Sequence, residues 1–298
     1  MPANWFHSII NNKEVTETNG IWVSNALLNK KLKWSFAEEW KEHAKTNQQK
    51  TWDWTATQRL EQFYIETKTD KNALKDKIIL DAGCGNGLLT KAIADAGASL
   101  VGIDLHPYLP SNLISDSLQF VQCDFDNPPF YSSTFDIIIA NGTIHHTKNT
   151  FHSFQSLAGL VKEHGKFYVW VYKRPTGLWK NILLVLLDFF RFFISSMPAG
   201  LQKFFVQAFT RFFFILSRIR KGQNSLRTKE EIRINVYDAF TPRYRHYHNP
   251  IEVAGWFNHC GFDEPVLSHW DNPVGFGMVA VKKTEHQKTA GANFVSKN

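Results

Sequence analysis

Cysteine is scarce. Cys84, Cys123 and Cys260 are the only three, and they lie far apart. No disulfide framework can be built from them, which points to a reduced compartment. No apolar run is long enough to cross a bilayer, because Lys180, Asp188 and Arg191 interrupt the most hydrophobic window. Met1 to Ile10 lacks a basic start followed by a long apolar run, so no secretory leader is expected. There is no collagen period, no sustained heptad and no low-complexity tract, which excludes fibrous and repeat architectures. The chain has 298 residues, 43% hydrophobic and 20% charged. That is enough for a packed core and about two typical domains, and it excludes a mostly disordered chain.

The net charge is +7, and its placement is uneven. Residues 178–221 hold Lys180, Arg191, Lys203, Arg211, Arg218, Arg220 and Lys221 against a single acid, Asp188, and so carry +6 of it. Charge concentrated in this way suits a surface facing phosphate or lipid headgroups.

Five regions are expected. Residues 1–70 hold six of the ten tryptophans and read as an aromatic-rich helical cap, with helices near Trp34–Lys45 and Trp54–Thr67. Residues 71–174 alternate short apolar strands with helices, the pattern of a parallel sheet covered on both faces. Residues 175–235 read as an inserted basic, phenylalanine-rich helical hairpin. Residues 236–283 complete the core with C-terminal antiparallel strands, and residues 284–298 form a polar tail expected to be disordered.

The chemistry concentrates at Asp81-Ala-Gly83-Cys84-Gly85-Asn86-Gly87, between a strand and a helix. Glycine there permits positive φ and close approach of backbone to a ligand, and the helix that follows favours negative charge. The spacing is G-x-G-x-G, not the G-x-G-x-x-G of a dinucleotide site. Asp104 is expected at the end of the second strand, where a carboxylate can accept both hydroxyls of a ribose. Asp124 and Asn141 are expected at the ends of the third and fourth strands. Any one of these alone reads equally well as a turn former or helix cap; together with the glycine turn they read as a site.

These residues resemble the class I S-adenosylmethionine-dependent methyltransferases. The resemblance rests on Ile79–Gly87, Val101–Asp104, Gln122–Phe125 and Phe135–His146, with Leu160–Phe167 as the turn into a fifth strand. His164 departs from it, standing where the family usually has a glycine. The resemblance implies a Rossmann-like α/β fold with a seven-stranded sheet and S-adenosyl-L-methionine as cofactor, leaving as S-adenosyl-L-homocysteine, with no metal. Asp81, Gly83, Cys84, Gly85, Asn86 and Gly87 would then lie beside the methionine part. Asp104 and Leu105 would hold the ribose, Asp124 and Phe125 the adenine, with Asn141 nearby.

Methyl transfer from a sulfonium needs positioning and exclusion of water, and a hydroxyl acceptor gains from a base. His145, His146 and His246 are the candidates, and Arg243, Tyr244 and His248 are candidates for holding substrate. Both groups read equally as loops that cap and pack; a metal held by His246 and His248 lacks a third ligand. The favoured activity is methylation, on oxygen, of a small or lipid-linked acceptor by a cytoplasmic enzyme, peripheral at the membrane if the hairpin touches lipid. Two alternatives are a tRNA or RNA base methyltransferase and a non-catalytic binding protein that keeps the fold. The first is opposed by a charge excess that sits on an apolar hairpin instead of a polar groove.

In the hairpin, Leu201, Phe204, Phe205, Ala208, Phe209, Phe212, Phe213, Leu216 and Ile219 repeat at helical spacing. The stripe has three readings: a lid packed on the core, an element lying on an anionic membrane surface, or a homodimer interface.

Overall fold

The computed structural model describes residues 4–28, 50–51, 54–221, 228–268 and 274–284. Its centre is a nine-stranded sheet in the order β1-β2-β7-β6-β5-β8-β9-β11-β10. The parallel core comprises β5 (Ile78–Ala82), β6 (Ser99–Asp104), β7 (Leu118–Gln122), β8 (Phe135–Asn141) and β9 (Val161–Tyr172). β11 (Gly275–Val281) runs antiparallel to β9, and β10 (Val266–Leu267) antiparallel to β11. Strand order reverses between β5 and β8, where open α/β sheets bind ligands.

The expected seven strands are therefore nine. The two extra ones are a hairpin, β1 (Val15–Thr18) and β2 (Ile21–Ser24), with β2 parallel to β7. Its two-residue turn is Asn19-Gly20, with φ of 52° and 79°, the doubly positive geometry that matches strand twist. Residues 1–70 are thus not a helical cap alone. They contain a short helix α1 (Asn4–Ile9), the hairpin, the paired β3 (Lys50–Thr51) and β4 (Trp54–Thr55), and helix α2 (Ala56–Thr67). α2 is the helix expected from Trp54, and it starts at a reciprocal Thr55–Gln58 capping box. The expected helix Trp34–Lys45 and the tail beyond 284 lie outside the described residues.

Two apolar layers sandwich the sheet. α4 (Thr150–Gly159) and α8 (Pro250–His259) cover one face with Phe154, Leu157, Val253 and Phe257. α2 and α3 (Leu88–Asp95) cover the other with Phe63, Tyr64, Ile93 and Ala94. His164 takes φ of 59° within the irregular start of β9, the left-handed region that a glycine would enter without strain.

The insertion is three helices: α5 (Leu178–Ser196), α6 (Ala199–Lys221) and α7 (Lys229–Phe240). It runs on to 240, so the expected boundary at 236 falls inside α7. Its small core is its own, with Val206, Ile232, Val236 and Tyr237 joined by Phe209, Phe214 and Phe240. Val206 and Thr210 face inward, while Leu201, Phe204, Phe212 and Ile219 of the expected stripe are exposed. A lid packing that stripe onto the sheet is not what forms.

Glu66 on α2 is 2% exposed, with Oε2 unpartnered among the described residues. Burial raises its carboxyl to about 7, against hydrogen bonds from Gln62 and Ser268. A carboxyl raised on folding contributes stability at low pH that is lost as pH rises through about 7. Glu66→Gln is therefore expected to stabilise the protein at alkaline pH by about 1–3 kcal/mol and to flatten the pH dependence between pH 5 and 8. Urea titrations across that range measure it; equal pH slopes for both proteins would be the contrary result.

Candidate active site

The glycine turn joins β5 to α3 at the C-terminal edge of the sheet. Gly83, Gly85 and Gly87 have φ of 86°, 53° and 72°. Gly83 N–H and Cys84 N–H both donate to the Ile103 carbonyl, at 2.7 and 3.0 Å. Asn86 accepts from Leu88 N–H through its side chain. Cys84 is buried, and burial pushes its thiol up, so it packs as a neutral group. A Cβ on Gly83 would lie 2.1 Å from Thr143 Cγ2. Gly83→Ala is accordingly expected to cost about 2 kcal/mol or more and to abolish cofactor binding. Thermal melts with and without S-adenosylhomocysteine would show both; a ligand-induced rise in Tm equal to wild type would disprove it.

Asp104 ends β6 and is tied to the turn. Its Oδ2 accepts Gly85 N–H at 3.1 Å, and its Oδ1 accepts Leu105 N–H at 2.7 Å and His106 N–H at 3.3 Å. His106, which the sequence reading passed over, is a second tie. Its Nδ1 accepts Tyr108 N–H, so Nε2 carries the proton and donates to the Gly85 carbonyl at 3.2 Å. Asp81 lies at the end of β5, 4% exposed, accepting Thr90 Oγ1 at 2.7 Å. Burial lifts its carboxyl to about 6, helped by Asp104 and opposed by Thr90 and Arg59. Arg59 on α2 was also missed. Burial lowers its guanidinium to about 10 against the pull of Asp81, which brings the front segment to the glycine turn.

Asp124 stands two residues past β7 and accepts Asp126 N–H at 3.2 Å. Phe125 is buried in the apolar layer beneath α4 and α8. Asn141 is the last residue of β8, in register with Trp170. Asp81, Gly83–Gly87, Asp104, Leu105, Asp124 and Asn141 thus share one sheet edge around the strand-order reversal.

The histidines form a second cluster beside it. His145 and His146 lie in a turn (Ile144–His146) after β8. Residues 243–248 fold onto this turn, with His246 N–H donating to the His145 carbonyl at 2.9 Å. His146 Nδ1 donates to the Tyr244 carbonyl at 3.0 Å, and its Nε2 is 3.4 Å from Asp238 Oδ1. His246 Nε2 donates to the Thr147 carbonyl at 3.0 Å. His248 is buried, with its ring nitrogens on Glu252 Oε1 at 2.9 Å and Thr150 Oγ1 at 3.1 Å. Arg243 is exposed and stacks over Tyr244.

Asp238 and Tyr172 are the anchors that sequence reasoning did not single out. Tyr172 Oη donates to Asp238, and Arg245 lies 3.6 Å from Asp238 Oδ2 and 4.0 Å from the Tyr172 ring centre. Burial alone would raise the Asp238 carboxyl, but His146, Arg245 and Tyr172 together hold it at about 2. Burial and the Asp238 charge keep the Tyr172 phenol far above its ordinary value, so it stays protonated and donates. His145 differs from the rest. It is fully buried against Tyr172 and His146, and neither ring nitrogen has a partner among the described residues. Burial, reinforced by His146 and Arg245, holds its pKa well below the ordinary value, so the ring is neutral.

The glycine turn locked to a strand-end carboxylate lies at the strand-order reversal of the sheet, where open α/β folds bind nucleotide-type ligands. Residues 80–169 match the sequence profile of a methyltransferase domain. The chain is 29% identical over 152 residues to a ubiquinone biosynthesis O-methyltransferase of Glaesserella parasuis, a match covering 47% of this chain and 62% of that protein. It is 25% identical over 132 residues to a mitochondrial ubiquinone biosynthesis O-methyltransferase of Schizosaccharomyces pombe, covering 39% and 48%. These matches span less than two thirds of the relatives' length. Magnesium protoporphyrin IX methyltransferase of Synechocystis, solved with S-adenosylhomocysteine, aligns over 84% of this chain and 95% of that one, at 13% identity and a TM-score of 0.47. That likeness is too loose to say more.

The turn suits a nucleoside ligand. Its three left-handed glycines bare the backbone, and the Asp104 side chain is 18% exposed at the strand end. That pairing offers closely approachable backbone and a carboxylate acceptor for hydroxyls, which suits a nucleoside ligand. Among the described residues, no group of three or more His, Cys, Asp or Glu is placed to hold a metal.

Proposed function

We propose that the protein moves a methyl group from S-adenosylmethionine to a hydroxyl of a small or lipid-linked acceptor. Gly83–Gly87 would flank the methionine part of the cofactor, Asp104 with Leu105 the ribose, and Asp124 with Phe125 the adenine. The cofactor supplies an activated methyl; the residues position the acceptor and keep water away. The observation that carries this reading is His145, a buried neutral ring without a partner among the described residues, two positions after Thr143, which stands against Gly83. A buried polar group left unpaired costs about 1–3 kcal/mol, and an incoming hydroxyl relieves that cost. Its depressed basicity suits orienting a hydroxyl more than full proton removal.

His146 and His246 are spent on Tyr244, Asp238 and Thr147 and act as positioning residues that hold the turn. His248 is bound on both sides and belongs to the packing. Arg243 and Tyr244 remain at the outer face for the acceptor. The relatives' names, O-methyltransferases of ubiquinone biosynthesis, support an oxygen acceptor.

Methyl-labelled S-adenosylmethionine incubated with protein and cell extract, then fractionated, tests the reading. Label should enter the lipid or small-molecule fraction, and His145→Ala should lower the rate about 10²-fold with cofactor affinity unchanged. Label confined to RNA, or a His145→Ala rate equal to wild type, would refute it.

A further inference from the structure

Helix α5 buries Arg191 and Ile194 and half-buries Asn181, Leu184, Asp188 and Ser195 along the same face. Arg191 pairs with Asp188 and donates through Nε to the Ala239 carbonyl at 2.7 Å. The opposite faces are apolar and open: Trp179 is 81% exposed, Phe189 65% and Val185 66%. On α6, Phe204, Phe212 and Ile219 are exposed as well. Large apolar side chains exposed in this number mark an interaction site.

We infer that this surface docks on a lipid bilayer carrying anionic headgroups, with α5 and α6 lying in the interface. Charge selects this occupant. Lys180, Lys203, Arg211 and Arg218 are exposed among the apolar residues, while the only acid of 178–221 is taken up by Arg191. A second copy would bring the same positive charge to the contact; an anionic bilayer brings the opposite one. Among the described residues, no helix is long and apolar enough to cross a membrane, so the surface lies on the bilayer. The Ala239 carbonyl held by Arg191 is next to Asp238, so the docked face is joined to the histidine cluster. Docking itself does not depend on the acceptor assignment above.

Flotation of the full chain with vesicles of phosphatidylcholine, with or without roughly a third phosphatidylglycerol, tests this. The protein should float with the anionic vesicles and poorly with the neutral ones. Phe189→Ser with Phe204→Ser, and separately Lys203→Glu with Arg211→Glu, should each reduce binding at least about tenfold. Brominated lipid should quench Trp179, a signal lost in Trp179→Phe, which gives a reading from a variant of little structural consequence. No flotation, equal binding to neutral vesicles, or a lipid-free dimer in sedimentation velocity that Phe189→Ser dissociates would overturn the inference.

Discussion

Asp104→Ala is expected to lower affinity for S-adenosylmethionine about 10²-fold or more. Two losses combine. The proposed pair of charge-assisted bonds to the ribose hydroxyls, worth about 1.5–3 kcal/mol each, disappears. The turn also loses a carboxylate that holds Gly85 N–H, Leu105 N–H and His106 N–H together. Asp104→Asn keeps the shape and one acceptor oxygen, and should fall between the two. Calorimetric titration reads the ratio directly, and an Asp104→Ala protein with wild-type affinity would remove Asp104 from the cofactor.

Asp238→Ala is expected to be the most destabilising change in the acceptor-side cluster, costing about 3–5 kcal/mol. It leaves Arg245 charged, 12% exposed and without its carboxylate, and strands the Tyr172 hydroxyl. The pH dependence has a definite sign. The folded Asp238 carboxyl sits at about 2, below its ordinary 3.8. It therefore contributes stability above pH 3.8 that drains away as pH falls toward 2, on the order of 2 kcal/mol in all. Urea unfolding at neutral pH and near pH 3 should show the gap between wild type and Asp238→Ala narrowing in acid. A constant gap would mean that the carboxylate is not held ionised by His146 and Arg245.

The cofactor side of the fold was legible because its signals are local. A buried strand, a glycine-rich turn and a helix follow one another within Ile78–Asp95, and a short apolar run brings Asp104 to a strand end. The β1–β2 hairpin carried a local signal too, Asn19-Gly20 between two β-rich stretches, but the tryptophan-rich composition around it masked the two-residue period. The acceptor-side anchors had no such signal. Tyr172 and Asp238 are 66 residues apart, and only the docking of α7 beside β9 makes them partners. Arg59 and Asp81 likewise meet only once α2 lies against the sheet. The aromatic stripe shows a different limit. Helical periodicity in Leu201–Ile219 reveals that a face exists, and the same period serves whether that face meets a core or points outward. The exposed Phe204 and Phe212 are decided by Val206 and Thr210, the residues that α7 covers.

The central claim is that Gly83–Gly87 and Asp104 form a cradle for S-adenosylmethionine. Titration of the full chain with S-adenosylmethionine, S-adenosylhomocysteine and NAD in a calorimeter tests it most directly. One-to-one binding of both sulfur compounds and no heat from NAD are expected, in keeping with the G-x-G-x-G spacing. Binding of NAD, or no binding of either sulfur compound by folded protein, would contradict it.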